Sequence, residues 1–181
     1  AEAAQLLRAV FQTASDTPLL LDADALNLLA HDDALAAEAA LYPQLVLTPH
    51  PAEAARLLKT DTAEIQKARI QSVETLSRRF NAVTVLKGHR SLIAAPNRGT
   101  TANPSGNAGL ATAGSGDVLS GVIGSLLAQG IDAFQAAAAG VWLHGAAADI
   151  LRDSETGEIG MLAGEIAPAA RWLRNYLVRG K

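Results

Sequence analysis

The sequence predicts an α/β fold built around a mostly parallel sheet. Three observations carry that prediction. Short apolar runs of strand length recur at residues 18–22, 45–48, 83–86 and 92–95. Segments with apolar residues at helical spacing separate most of them. Alanine dominates and only seven of the 181 residues are aromatic, so helices can pack closely on a sheet.

Residues 3–11 have the spacing of a short helix. Pro18-Leu-Leu-Leu-Asp22 is an apolar run closed by an acid, the pattern of a strand covered on both faces. Residues 24–30 and 33–41 read as helices, with Asp24 placed as the N-cap of the first. Leu45-Val-Leu-Thr48 is a second strand, stopped by Pro49 and Pro51, and Pro51 suits the first turn of a helix running to Leu58. Asp61-Thr-Ala-Glu64 has the spacing of a capping box, and Ile65, Ala68, Val73, Leu76 and Phe80 carry helical periodicity to residue 80. Strands at 83–86 and 92–95 flank a connection from Lys87 to Ser91. Residues 100–116 are rich in Gly, Ser, Asn and Ala and show neither period; so long an irregular stretch inside a compact domain is usually functional. Helices at 116–129, 133–151 and 164–178 close the chain, the first stopped by Gly130 and the second capped by Asp132.

A single α/β domain thus spans residues 1–181. Four short strands are few for so many helices, and the chain opens on a helix. The expectation is the C-terminal part of a larger, N-terminally truncated α/β domain. If so, the strand at 18–22 leaves an edge that a homo-oligomer or a missing N-terminal portion would cover.

A formal charge of -3 gives no electrostatic reason to expect nucleic acid or an anionic membrane as partner. Cysteine is absent, which excludes disulfides and thiolate metal sites. No segment has the apolar length of a membrane span. A cytoplasmic protein is expected.

Asn107-Ala-Gly-Leu-Ala-Thr-Ala-Gly-Ser-Gly-Asp117 leads directly into an amphipathic helix. Free N–H groups and the positive dipole end at a helix start make an anion site. Gly114 and Gly116 let backbone approach a phosphate, and Ser115 adds a hydroxyl. Asp117 has two readings. It complements the helix dipole, or it is a base for a hydroxyl attacking a β- or γ-phosphate. Gly109 and Gly114 have Walker spacing, but Ser115-Gly116 stands where Lys-Ser/Thr is required, and no strand is expected just before the loop.

The longer run Asn103-Pro-Ser-Gly-Asn-Ala-Gly-Leu-Ala-Thr-Ala-Gly-Ser-Gly-Asp-Val-Leu-Ser-Gly121 closely resembles the signature of ADP/ATP-dependent NAD(P)H-hydrate dehydratases, members of the ribokinase-like superfamily. Leu21-Asp-Ala-Asp-Ala-Leu26, Leu47-Thr-Pro-His-Pro-Ala-Glu53, Val85-Leu-Lys-Gly88 and Gly140-Val-Trp-Leu-His-Gly145 match in the same order. The resemblance runs from Leu19 nearly to the end. It implies a three-layer ribokinase-like fold and a lyase that repairs hydrated NADH or NADPH. ADP or ATP, with Mg²⁺, would phosphorylate the hydrate's hydroxyl, and phosphate would then leave.

The resemblance also assigns residues. Asp117 matches the family's catalytic Asp, next to the substrate hydroxyl being phosphorylated. Asn107, Ala108, Gly109, Leu110, Ala111, Thr112, Ala113, Gly114, Ser115 and Gly116 match a nucleotide-contacting loop, the last three its anion hole. Lys87, Gly88, His89, Arg90 and Ser91 match a second nucleotide loop; Lys87 otherwise reads as a solvated strand-end lysine. His50 matches a residue lining the hydrate site, and otherwise reads as a turn residue. Glu53 matches an acid that organises Mg²⁺, or complements a helix dipole. Ala113 stands where glycine is usual, which matters if that position needs positive φ. Asp22 and Asp24 could face the site from a strand's carboxyl end, the N-cap role being the favoured reading of Asp24. His144 is expected as a packed helix residue, and Arg171 and Arg174 on a solvated face. A ribokinase-like small-molecule kinase and a non-catalytic nucleotide-binding module are the alternative functions.

Overall fold

Apolar alternation along short strands places side chains on two faces of one sheet, and helices cover both. The computed structural model describes residues 2–180. In chain order the elements are α1 (Glu2–Thr13), β1 (Leu19–Leu21), α2 (Asp24–His31), α3 (Asp33–Ala40), β2 (Leu45–Leu47), α4 (Pro51–Leu58), α5 (Thr62–Lys67), α6 (Arg69–Phe80), β3 (Val83–Leu86), β4 (Leu92–Ala94), β5 (Thr101–Ala102), a 3₁₀ turn (Ala108–Ala111), α7 (Ser115–Leu127), α8 (Ala133–Arg152) and α9 (Ala163–Arg179).

The strands lie in the order β1-β2-β3-β4-β5. Leu19–Leu21 pairs in parallel with Leu45–Leu47, and Val46 and Leu47 pair in parallel with Val83 and Thr84. β4 is antiparallel to both β3 and β5, so four of the five strands run the same way. Leu45, Leu47, Leu86 and Leu92 face α1 to α6, packing with Leu26, Leu57, Leu76 and Phe80. Val46, Val83, Val85 and Ile93 face the other side, packing with Leu119, Ile123 and Val141. The result is the expected three-layer arrangement, with a smaller α8–α9 cluster around Met161 and Ile166.

Four local expectations need correction. Asp24 is the first helical residue of α2 and not its N-cap; Ala23 holds that place, and Asp22 accepts the Ala23 N–H. The helix read through residue 80 breaks at Ala68 (φ -127°, ψ 46°), although Asp61 does cap its first part by accepting from Glu64 N–H. Residues 100–116 contain strand β5 ahead of the glycine-rich loop, where no strand was expected; pairing with β4 creates it, which local periodicity does not reveal. Ala113 does not take positive φ, so alanine is unstrained there.

Candidate active site at the start of α7

The carboxyl ends of the parallel strands β1, β2 and β3 converge on the first turn of α7, the usual ligand position in open α/β sheets. Gly114 precedes α7 with φ 84°, a left-handed conformation that glycine adopts without strain, and no side chain caps the helix. The N–H groups of Gly116 and Asp117 therefore have no acceptor within the helix, at the positive end of its dipole. A Cβ on Gly116 would lie 3.4 Å from Lys87 Nζ and 3.8 Å from Asp22 Oδ2, so glycine there leaves room beside two charges.

Lys87 follows β3 and is not a solvated strand-end lysine. Its Nζ donates to Asp22 Oδ1 at 2.7 Å and lies 3.9 Å from Glu53 Oε2, with side-chain exposures of 18%, 13% and 6% for lysine, aspartate and glutamate. Ser120, one turn into α7, donates to the other Asp22 oxygen at 2.9 Å. Asp117 is exposed, and its carboxylate has no hydrogen-bond or ion-pair partner among the described residues. A free carboxylate beside an anion cradle is available to take a proton.

His50 ends the turn after β2 as the N-cap of α4. Its Nδ1 accepts from the N–H groups of Ala52 and Glu53, and Glu53 Oε2 accepts from His50 N–H at 2.7 Å, a reciprocal capping box. His50 Nε2 lies 3.3 Å from Glu53 Oε1. Glu53 therefore links His50 to Lys87, and about half of the imidazole surface stays open to solvent.

The second expected nucleotide loop connects β3 to β4. Gly88 has φ 132° and Arg90 φ 52°. Arg69 fills the space behind it: a Cβ on Gly88 would meet Arg69 Nη1 at 2.8 Å, and Arg69 Nη2 donates to the carbonyls of Leu86 and Arg90 at 3.4 Å. Ser91 Oγ donates to Gly88 O, and the Ser91 carbonyl accepts from Asn103 N–H, tying this loop to the one before α7. His89 is exposed.

The glycine-rich loop is clamped by α8. Asp149 accepts from Gly106 N–H at 2.8 Å and Asn107 Nδ2 at 3.1 Å, while Glu158 accepts from Ala108 N–H at 3.0 Å. The Asn107 side chain in turn accepts from Gly109 N–H. His144, buried as expected, sends Nε2 to the carbonyl of Ser115 at 3.0 Å, with Ser115 Oγ at 3.3 Å. A carbonyl accepts, so Nε2 carries the proton. Burial pushes the imidazole down to about 4, partly offset by that hydrogen bond.

Sequence reasoning missed Arg69, Ser120, Asp149 and Glu158. Asp149 had a readable signal: a single acid among the alanines of a buried helix face. The others depend on contacts between distant segments. Arg171 and Arg174 are exposed as expected, and both line a cleft of about 580 Å³ between α7 and α9.

A divalent cation would find the open carboxylate of Asp117 and the buried Glu53 on neighbouring elements here, and no group of three acids or histidines able to hold a metal occurs among the described residues. That donor set fits an ion bound mainly through phosphate oxygens and water, as Mg²⁺ commonly is.

The NAD(P)H-hydrate dehydratase family profile matches residues 2–170. The chain belongs to that family. Among its relatives is the ADP-dependent (S)-NAD(P)H-hydrate dehydratase of Neisseria meningitidis, 57% identical over 91% of this chain and 56% of that protein. The dehydratase fold is also seen in the ADP/ATP-dependent NAD(P)H-hydrate dehydratase of Bacillus subtilis co-crystallised with ATP/Mg²⁺, with a TM-score of 0.73 and 34% identity over 87% of this chain and 55% of that one. A ribokinase-like superfamily protein from Enterococcus faecalis superposes with a TM-score of 0.77 at 27% identity, covering 97% of this chain and 59% of the other. The fold is ribokinase-like, and this dehydratase-family chain spans just over half the length of the Neisseria relative.

Proposed function

We propose that this chain carries the active site of an enzyme that dehydrates hydrated NADH or NADPH, driven by ADP or ATP. The observation that supports this best is the uncapped start of α7, with Lys87 packed beside Gly116 and an unpartnered Asp117 on the same turn. The loops Asn107–Gly116 and Lys87–Ser91 would hold the nucleotide. Its terminal phosphate would take the N–H groups of Gly116 and Asp117, the Ser115 hydroxyl and the Lys87 ammonium.

Asp117 accepts the proton of the hydrate's hydroxyl as that oxygen attacks the terminal phosphorus. The bond to the bridging oxygen breaks, and AMP or ADP leaves. Phosphate then departs from the ester with the C–O electrons, and water takes a proton from the neighbouring carbon, which restores the ring double bond. Hydroxide is a poor leaving group and phosphate a good one, which is why nucleotide is consumed. Mg²⁺, organised in part by Glu53, would supply charge neutralisation at the phosphate oxygens. His50 would line the hydrate, with its ring oriented by Glu53. A cytoplasmic setting suits the nicotinamide substrate. A homo-oligomer is the assembly proposed, supported by exposed Trp172, Tyr176, Leu177 and Val178 along α9.

Asp117→Asn tests the assignment. Turnover is expected to fall by a factor of about 10² to 10⁴, the range for losing a general base, with ADP affinity within about two-fold of the parent. Parallel loss of binding and turnover would make Asp117 a nucleotide ligand instead.

A further inference from the structure

Asp22 is tied down on all sides. Its carboxylate accepts from Lys87 Nζ at 2.7 Å, Ser120 Oγ at 2.9 Å and Ala23 N–H at 2.9 Å. The two side-chain partners lie 65 and 98 residues away in sequence, so the tertiary fold assembles the group. The turn presenting it is strained: Ala23 has φ 49° and ψ -117°, a conformation that residues with a Cβ avoid. Strain of this kind persists only where surrounding contacts over-determine it.

Lysine is a point charge on a flexible four-carbon stem. Holding that stem in one place before ligand arrives lowers the cost of binding. Asp22 does this from a rigid strand end, and it uses only part of the ammonium's hydrogen-bonding capacity. Lysine has three N–H donors, so two remain for other acceptors. The Gly116 contact places that ammonium against the first turn of α7.

We propose that Asp22 is a positioning residue that aims the Lys87 ammonium at the terminal phosphate of a bound nucleoside di- or triphosphate, acting through Lys87 and not on the ligand. This rests on the nucleotide reading of the α7 start given above. The opposite behaviour is physically well defined. A carboxylate acting only as a bare negative charge would repel phosphate, and its removal would tighten binding.

Calorimetric titration of ADP, with Mg²⁺ present, into the unsubstituted chain, Asp22→Asn, Lys87→Met and the double variant separates the two. Asp22→Asn is expected to weaken ADP roughly ten-fold, comparable to one charge-assisted hydrogen bond. In the Lys87→Met background the same substitution is expected to change affinity less than about two-fold, because the group it acts through is gone. Ser120→Ala, which loosens the carboxylate and keeps its charge, is expected to weaken ADP by a smaller factor. It carries the test if Asp22→Asn does not fold, and unchanged affinity in it overturns the proposal. Tighter binding by Asp22→Asn, or an equal loss in both backgrounds, also overturns it. Absence of ADP binding by the unsubstituted chain overturns the nucleotide reading as well.

Discussion

The Ser115 carbonyl, at the first helical residue of the cradle, is held by His144, whose imidazole is buried and titrates down near 4. Unfolded, that ring titrates at its ordinary 6.5. Between those values the unfolded chain binds a proton that the folded chain does not. Stability is therefore expected to fall as pH drops from 6.5 to 4, by about 3 kcal/mol from this group, with no contribution to the slope above that window. Urea unfolding at pH 7.5 and 4.5 measures it. His144→Gln should lose clearly less stability between the two pH values, and an unchanged pH dependence would show that His144 is not the responsible group. Asp117, His50 and Lys87 were legible as candidates from local sequence and motif order. Their partners were not. The Asp22–Lys87 pair spans 65 residues and the His144–Ser115 contact 29, distances over which periodicity carries no signal.

Helix α8 is the platform on which the glycine-rich loop before α7 rests. It offers the Trp142 carbonyl to Ser105 Oγ, His144 to Ser115, and Asp149 to Gly106 and Asn107. Gly145 lets the chain pass: a Cβ there would lie 2.8 Å from the Ser105 carbonyl carbon and oxygen, so one of the two backbones would have to move. Gly145→Ala is expected to lower stability by about 1–3 kcal/mol through overpacking and to weaken ADP binding as the loop shifts. Chemical denaturation and titration check the two effects. Wild-type values for both would mean that the loop is not seated on α8. Asp149→Asn is expected to weaken ADP a few-fold with a smaller stability loss. The helix itself was legible from its Asp132 cap and its apolar spacing. Its role was not, because alanine-rich faces look alike until a second element packs on them. The break at Ala68 escaped for a related reason, since apolar spacing continues across it.

Over the whole molecule, the alternation of short apolar runs with helical segments was enough to specify an α/β fold on a mostly parallel sheet, the three layers were implied by the family resemblance, and the sheet order follows the chain from β1 to β5. What periodicity could not specify was direction: β4 returns antiparallel through a five-residue connection, and that turn carries Lys87 to the site. The ordered motifs named the family, which the match over residues 2–170 shows. Hydrophobic packing fills both sheet faces, and charge gathers at the strand ends in Asp22, Glu53 and Lys87.

The proposed function requires phosphoryl transfer at the start of α7 to convert hydrated nicotinamide back to its reduced form. Incubating the chain with hydrated NADH, Mg²⁺ and either ADP or ATP, while recording reduced-nicotinamide absorbance and free phosphate together, tests it most directly. One phosphate released for each NADH regained is expected, with neither signal in the absence of nucleotide. Nucleotide consumption that leaves a stable phosphorylated alcohol and no recovered absorbance would contradict it.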